Sequence, residues 1–263
     1  MEKMIKITEN EMLEFVKIVE QISGNNLNTK KDILLIKLPK FLQELGLKSL
    51  SELNEKVQFQ RNLKQETMDF ITVCETYFFR ELEQLKDVIF YIKSLDRPVN
   101  VLCAPCSSGE EVYSLAILAS ENFVKGMNII GIDINKKMID KCNDMIYSER
   151  SVARLNTMQK TRYFDIKDRM YHLKKETLAC RCRFELCNVF DDSLFKLGKF
   201  DVIFSRNMMI YFDQDFKIRL MERFYKILNK EGRIYPGKSD LVPETAYFDK
   251  NFSAGGVYYY KMD

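Results

Sequence analysis

The sequence predicts an α/β protein in which helices cover both faces of a mainly parallel sheet, with an all-helical segment ahead of it. Three observations predict this. From Val99 onward, short apolar runs alternate with helical patterns, as expected of strands joined by crossover helices. Up to about residue 75 the periodicity is helical only. Where the alternation begins, "VNVLCAPCSSGEEVYS" (Val99–Ser114) reads as a buried strand, a small-residue turn and a helix opening on two carboxylates. In open α/β sheets such a turn lies beyond the carboxyl ends of the strands, where ligands bind.

Taken in order, Met12, Phe15, Val16 and Val19 recur at helical spacing and mark the first helix. The next carries Ile33, Leu34, Leu38, Phe41, Leu42 and Leu45, with Gly46 as its stop. Pro39 lies inside that pattern and predicts a kink or break near Lys37–Pro39. Ser49 is placed to cap a short helix opened by "SLSEL". The expected organisation is a helical domain over residues 1–75, a linker helix over 76–95 and an α/β domain over 96–263.

Within the α/β part, "VNVLC", "MNIIGID", "FDVIFSRN" and "GRIYP" are strands, and "EEVYSLAILASENF", "NKKMIDKCNDMI" and "QDFKIRLMERFYKIL" are helices. The first three strands are apolar with little alternation, as strands buried on both faces should be. Between Tyr163 and Asn188 the rhythm changes. "RMYHLKKETLACRCRFELC" predicts a small antiparallel insertion at about residues 165–187, turning near Lys174–Thr177, with its last strand rejoining the main sheet. "GGVYYYKMD" reads as a final strand.

Composition removes several function classes. A net charge of +3, with no basic tail and no aromatic-basic interleaving, argues against a nucleic-acid partner. His172 is the single histidine, which argues against a Ser-His-Asp hydrolase or a multi-histidine metal site, and no metal is expected. No apolar run approaches the ~20 residues of a membrane span, and "MEKMIKITENEMLEF" lacks a signal-peptide core, so a cytosolic protein without membrane insertion is expected. Its seven cysteines should then be mostly free thiols. Cys103-x-x-Cys106 and Cys180-x-Cys182 also admit a redox or zinc reading, which requires the two pairs to converge.

The turn itself suggests a ligand. Ala104 and Gly109 let the backbone approach a bound molecule closely. The turn has no Lys or Arg, and Pro105 disfavours a glycine-type phosphate nest. Glu110 and Glu111 suit a helix N-terminus whatever the ligand, but they would repel a pyrophosphate and attract a cation. Asp133 ends the second strand at the distance from the turn where an acidic side chain accepts ribose hydroxyls. An adenosine cofactor carrying positive charge, such as S-adenosylmethionine, fits this arrangement.

Four blocks, "ETYFFRE" (Glu75–Glu81), "APCSSGEEVYSLA" (Ala104–Ala116), "GIDIN" (Gly131–Asn135) and "SRNMMIYFD" (Ser205–Asp213), together resemble the signature blocks of the chemotaxis-receptor glutamate methyltransferases, the CheR family. The likeness covers nearly the whole chain. It implies a class I S-adenosylmethionine-dependent methyltransferase fold, Rossmann-like, with a small antiparallel β-subdomain and an N-terminal all-helical domain. The implied reaction is methyl-ester formation on receptor glutamates, leaving S-adenosylhomocysteine. By match of motif, Thr76 and Arg80 border the cofactor and active site, and Glu110 meets the methionine end of the cofactor. Asp133 holds the ribose, Asn188 and Val189 flank the adenosine, Arg206 and Asn207 lie beside the cofactor, and Tyr211 orients the substrate carboxylate. The implied partner is the cytoplasmic helical domain of a methyl-accepting receptor, met by a monomer recruited to receptor arrays. In the family the helical domain faces that acidic receptor, and here Lys30, Lys31, Lys37, Lys40 and Lys48 cluster on or near one helix. The sequence departs from the family pattern at Cys74, where Asn is frequent, at Pro105–Cys106 and at "PGKSD".

Methylation of a carboxylate needs no general base, because the nucleophile is already ionised at neutral pH. What it needs is alignment and a dry site. Arg80 and Tyr211 are suited to orienting a carboxylate, although an interdomain ion pair and a packed core ring are the plain structural alternatives. Phe78 and Phe79 read as packing. A methyltransferase for another substrate and a cofactor-binding module without catalysis stay open on the sequence.

Overall fold

The computed structural model describes residues 5–262. The chain divides into two compact units, one holding the residues up to Thr72 together with Tyr211–Lys217, the other holding Val73–Ile210 and the residues from Ile218 on.

In the helical unit, α1 (Glu9–Ser23) starts in a capping box: Thr8 accepts from the Glu11 backbone N–H and the Glu11 carboxylate accepts in return. It stops at Gly24, whose φ of 76° suits a residue without a side chain. The predicted stripe of Met12, Phe15, Val16 and Val19 is buried. The second helix, α2 (Lys31–Glu44), runs unbroken through Pro39, which corrects the expected break. Leu34, Leu38, Phe41 and Leu42 bury one face on both sides of the proline, and that shared packing holds the helix together. Ser49 caps α3 (Leu50–Lys56) by accepting from Glu52 N at 3.2 Å. Phe70 of α4 (Arg61–Ile71) stacks on Phe41 with ring centroids 4.1 Å apart.

The second unit begins at Val73 with an irregular stretch, then a turn over Phe78–Glu81 and α5 (Leu82–Ser94), so the stretch expected as one linker helix is helical only in its later part. Phe79 and Glu81 have positive φ, 59° and 53°, which no helix interior accommodates. There follow β1 (Val99–Cys103), α6 (Glu110–Glu121), β2 (Met127–Asp133), α7 (Lys136–Asp144), β3 (Ile146–Tyr147), α8 (Thr157–Tyr163), β4 (Phe164–Lys167), β5 (Met170–Leu173), β6 (Arg181–Leu186), β7 (Phe200–Ser205), α9 (Gln214–Ile227), β8 (Leu228–Pro236), β9 (Phe248–Ser253) and β10 (Gly256–Lys261).

Seven strands form one sheet in the order β6-β2-β1-β7-β8-β10-β9. The first five are parallel, and β10 is antiparallel to both β8 and β9. Chain order reverses at β1, which pairs with β2 on one side and β7 on the other, so a crevice opens beyond the carboxyl ends of these strands. On one sheet face Val101, Ile129 and Phe204 pack with Leu85, Val88, Val112 and Leu115 of α5 and α6.

A second sheet of three antiparallel strands has the order β3-β5-β4. It reaches back to Ile146, earlier than the predicted start of the insertion, and its tight turn is Asp168–Arg169, where both residues have positive φ. The turn expected near Lys174–Thr177 joins β5 not to an antiparallel partner but to β6, which rejoins the main sheet parallel to β2. Phe78 is fully buried and meets Tyr147 and Phe164 of this small sheet edge-on, at centroid distances of 4.9 and 5.3 Å. Among the described residues no helix is long and apolar enough to cross a membrane.

Candidate active site

The turn after β1 is held at nearly every polar group. Ala104 N donates to Phe204 O and Cys106 N to Ile132 O, each at 2.8 Å, which ties the turn to the strands on either side. Ser107 N donates to Asp133 Oδ2 at 2.9 Å, and the Cys142 thiol and Tyr147 hydroxyl donate to the carbonyls of Ser107 and Ser108. Gly109 then opens α6 with a φ of 93°, and a Cβ there would lie 3.1 Å from Cys142 Sγ and 3.2 Å from Tyr147 Oη. One glycine suffices because the rest of the turn is cross-linked by hydrogen bonds rather than left to backbone freedom.

Two carboxylates flank the turn, Glu110 at the start of α6 and Asp133 at the tip of β2. Glu110 is 2% exposed, and burial raises its pKa above the ordinary 4.5, with the Ser108 hydroxyl at 2.7 Å pulling the other way. Asp133, at the end of β2, also accepts from Asn135 N at 2.9 Å. Cys187 N donates to the Asp133 carbonyl, which sets Asn188 and Val189 just past the tip of β6. Asn188 accepts from Phe190 N at 2.9 Å, and the Val189 carbonyl takes the Arg223 Nε–H at 2.6 Å.

Past β7, Arg206 is buried and Asn207 has a φ of 57°. Asp240, from the divergent "PGKSD" block, accepts from the backbone N–H groups of Asn207, Ile210 and Gly237. Sequence reasoning treated this block as a departure and missed that its carboxylate shapes the Arg206–Met209 turn. The missed signal was the acid itself, since an Asp three residues after a glycine in a loop is placed to accept backbone donors.

The Arg80 side chain folds back on its own turn, donating from Nη1 to Glu75 O at 2.8 Å, with Tyr77 beneath it at 5.9 Å. Thr76 is half-buried in the irregular stretch just before this turn, and Cys74 lies 3.7 Å from Asn135 Nδ2. Tyr211 groups with the helical unit. There its carbonyl accepts from Asn26 N at 2.8 Å, and the Lys30 ammonium sits 4.3 Å above its ring. Lys30 was read only as part of a basic helix face. It precedes α2, and its tie to Tyr211 spans a sequence separation that no periodicity reveals.

Burial pushes the thiols of Cys103 and Cys106 far above their ordinary range, and those of Cys180 and Cys182 up to about 12. A neutral, buried thiol is a poor nucleophile, so these cysteines act as small apolar groups. Among the described residues no group of three or more His, Cys, Asp or Glu is placed to hold a metal ion.

The donor set fits S-adenosylmethionine. The turn presents two buried or nearly buried acids and no cation, and the Ser107 hydroxyl is buried in it without a partner. Such a site would reject a diphosphate and accept an ammonium and a ribose. With the reversed strand order at β1, it defines a Rossmann-like methyltransferase that binds S-adenosylmethionine. Residues 74–256 match the family described as "CheR methyltransferase, SAM binding domain". A chemotaxis protein methyltransferase of Campylobacter jejuni is 54% identical over 263 residues, covering 100% of both chains. One from Pseudomonas putida is 30% identical, covering 87% of this chain and 89% of its own. The chain therefore belongs to the CheR methyltransferase family.

Proposed function

We propose that the protein transfers the methyl group of S-adenosylmethionine to glutamate side chains in the cytoplasmic helical domain of chemotaxis receptors, forming methyl esters. The observation that carries this reading is the pair Glu110 and Asp133 flanking a turn free of cations, in a chain so similar over its full length to chemotaxis protein methyltransferases.

When bound, S-adenosylmethionine supplies an electrophilic methyl group on a cationic sulfonium. The chain's own residues bind and orient. Glu110 holds the ammonium end and Asp133 the ribose hydroxyls, while Asn188 and Val189 flank the adenine. Thr76, Ala104, Gly109 and Asn207 line the remaining cofactor surface. Arg80 and Tyr211 are each suited to orienting a carboxylate by donating a hydrogen bond to it. A tighter ion pair would weaken the nucleophile, so Arg80 is suited to the edge of the site, where its Nη1 is already engaged by Glu75 O. Attack cancels opposite charges, and a dry site favours it.

The helical unit faces the receptor with Lys30, Lys31, Lys37, Lys40 and Lys48. The protein works as a cytoplasmic monomer brought to the membrane by its receptor. The test is transfer of labelled methyl to receptor cytoplasmic fragments, followed by mild base. Label released as methanol is the expected result. Label that stays on the protein, or none transferred, overturns the reading.

A further inference from the structure

Arg206 matches a cofactor-adjacent position, yet its surroundings in the structure are protein. Its side chain is 2% exposed, and Nε and Nη1 are sealed from solvent. Nη2 donates to the Arg80 carbonyl at 2.7 Å and stands 3.5 Å from Glu81 Oε2, and Nη1 stands 2.9 Å from Glu111 Oε2. The partners come from two separate places, the first turn of α6 and the turn that precedes α5.

That second turn is under strain. Arg80 lies between Phe79 and Glu81, both in the left-handed region that L residues occupy only when their surroundings hold them there. Phe78 N to Ser151 O and Phe79 N to Ser114 Oγ, each at 2.9 Å, hold its first half. Arg206 holds the second half through the Arg80 carbonyl, while the Arg80 N–H turns back to Tyr77 O. A planar guanidinium meets these partners from two nitrogens held in one rigid fork, Nη1 toward Glu111 and Nη2 toward Arg80 O and Glu81, whereas an ammonium offers a single nitrogen on a flexible stem.

We propose that Arg206 is a positioning residue. Clamped by Glu81 and Glu111, it fixes the Arg80 carbonyl and so the direction in which Arg80 leaves the turn. Glu111 is the anchor on the methyltransferase core, which gives the second carboxylate of "GEE" a role distinct from that of Glu110. The effect on catalysis rests on the reading of Arg80 given above; the clamp itself does not.

The test combines Arg206→Lys and Arg80→Ala, singly and together, with Glu111→Gln as an isosteric second variant should Arg206→Lys fold poorly. Amide exchange over Tyr77–Glu81 in the free protein should quicken by about tenfold or more in Arg206→Lys, while α6 stays protected. Methyl transfer at saturating donor should lose about 10- to 100-fold in kcat, with the KM for receptor fragment changed less than about threefold. In the Arg80→Ala background the same substitution should cost less than about twofold, because its effect runs through Arg80. Titration with S-adenosylhomocysteine should show a smaller loss for Arg206→Lys than for Asp133→Asn. Unchanged exchange over Tyr77–Glu81, or equal kinetic losses in both backgrounds, overturns the proposal. If Arg80→Ala itself leaves transfer intact, the catalytic reading of Arg80 is what fails, and the exchange data still decide the clamp.

Discussion

Replacing Asp133 by asparagine exchanges one carboxylate oxygen for an amide NH2 and tests how the cofactor turn is built. The native carboxylate is 6% exposed and accepts two backbone N–H groups, Ser107 N at Oδ2 and Asn135 N at Oδ1, both at 2.9 Å. Bonds of this charge-assisted kind contribute about 1.5–3 kcal/mol each. Asparagine has the same shape but only one acceptor oxygen. Whichever way its amide turns, one of the two backbone donors faces an NH2 group. The substitution therefore removes one bond outright and leaves a buried donor unpaired, a loss of about 2–4 kcal/mol. For a chain of this size that corresponds to a fall in Tm of roughly 5–12 °C. Cofactor binding should suffer separately, since the ribose hydroxyls lose a charged acceptor. About 2.7 kcal/mol, or roughly a hundredfold weaker binding of S-adenosylhomocysteine, is expected. Thermal melts with and without S-adenosylhomocysteine, together with calorimetric titration, measure both quantities. A variant that melts within about 1 °C of the parent and binds within about twofold would refute the claim that Asp133 organises the turn and holds the ribose.

Three further outcomes follow from the same geometry. Burial raises the Glu110 pKa above 4.5, so the folded protein holds that proton to higher pH than the unfolded chain does. Lowering the pH through this raised value neutralises the group proposed to attract the cofactor's ammonium, so affinity for S-adenosylhomocysteine should fall on the acid side, and Glu110→Gln should flatten that slope in titrations across the range. By the same linkage, the stability cost of keeping Glu110 charged appears as pH rises from the unfolded value through the raised one, so Glu110→Gln should gain stability above that window and little below it. Phe78→Ala removes a fully buried ring that meets Tyr147 and Phe164 edge-on and should cost about 3–5 kcal/mol by urea titration, whereas a loss under about 1 kcal/mol would show that the ring does not join the turn to the small sheet.

Much of the fold around the turn after β1 was legible in the residues. Apolar runs such as "VNVLC" and "NIIGI" are buried strands because strands covered on both faces have no polar side to show. Glu110 and Asp133 were readable because a strand-turn-helix pattern fixes where a strand tip lies even when its neighbours are unknown. Pro39 was misread as a break because the packing that carries α2 through it comes from outside the helix. The hairpin expected across Lys174–Thr177 failed for a related reason. A strand-like run does not encode its partner, and β6 found a parallel neighbour in β2 while β5 paired with β4.

The sequence by itself determined the class of the molecule: the alternating elements, the acidic turn without phosphate-binding cations, and a reaction that one histidine does not hinder. Those features are local, set by residue type and spacing along a short stretch of chain. Only the tertiary structure decided that Arg206 is locked between Glu81 and Glu111, that Asp240 shapes the turn after β7, and that Lys30 rests over Tyr211. Each of these joins groups distant along the chain. Ion pairs and ring contacts act over a few ångströms of space, and spacing along a sequence carries no record of that distance.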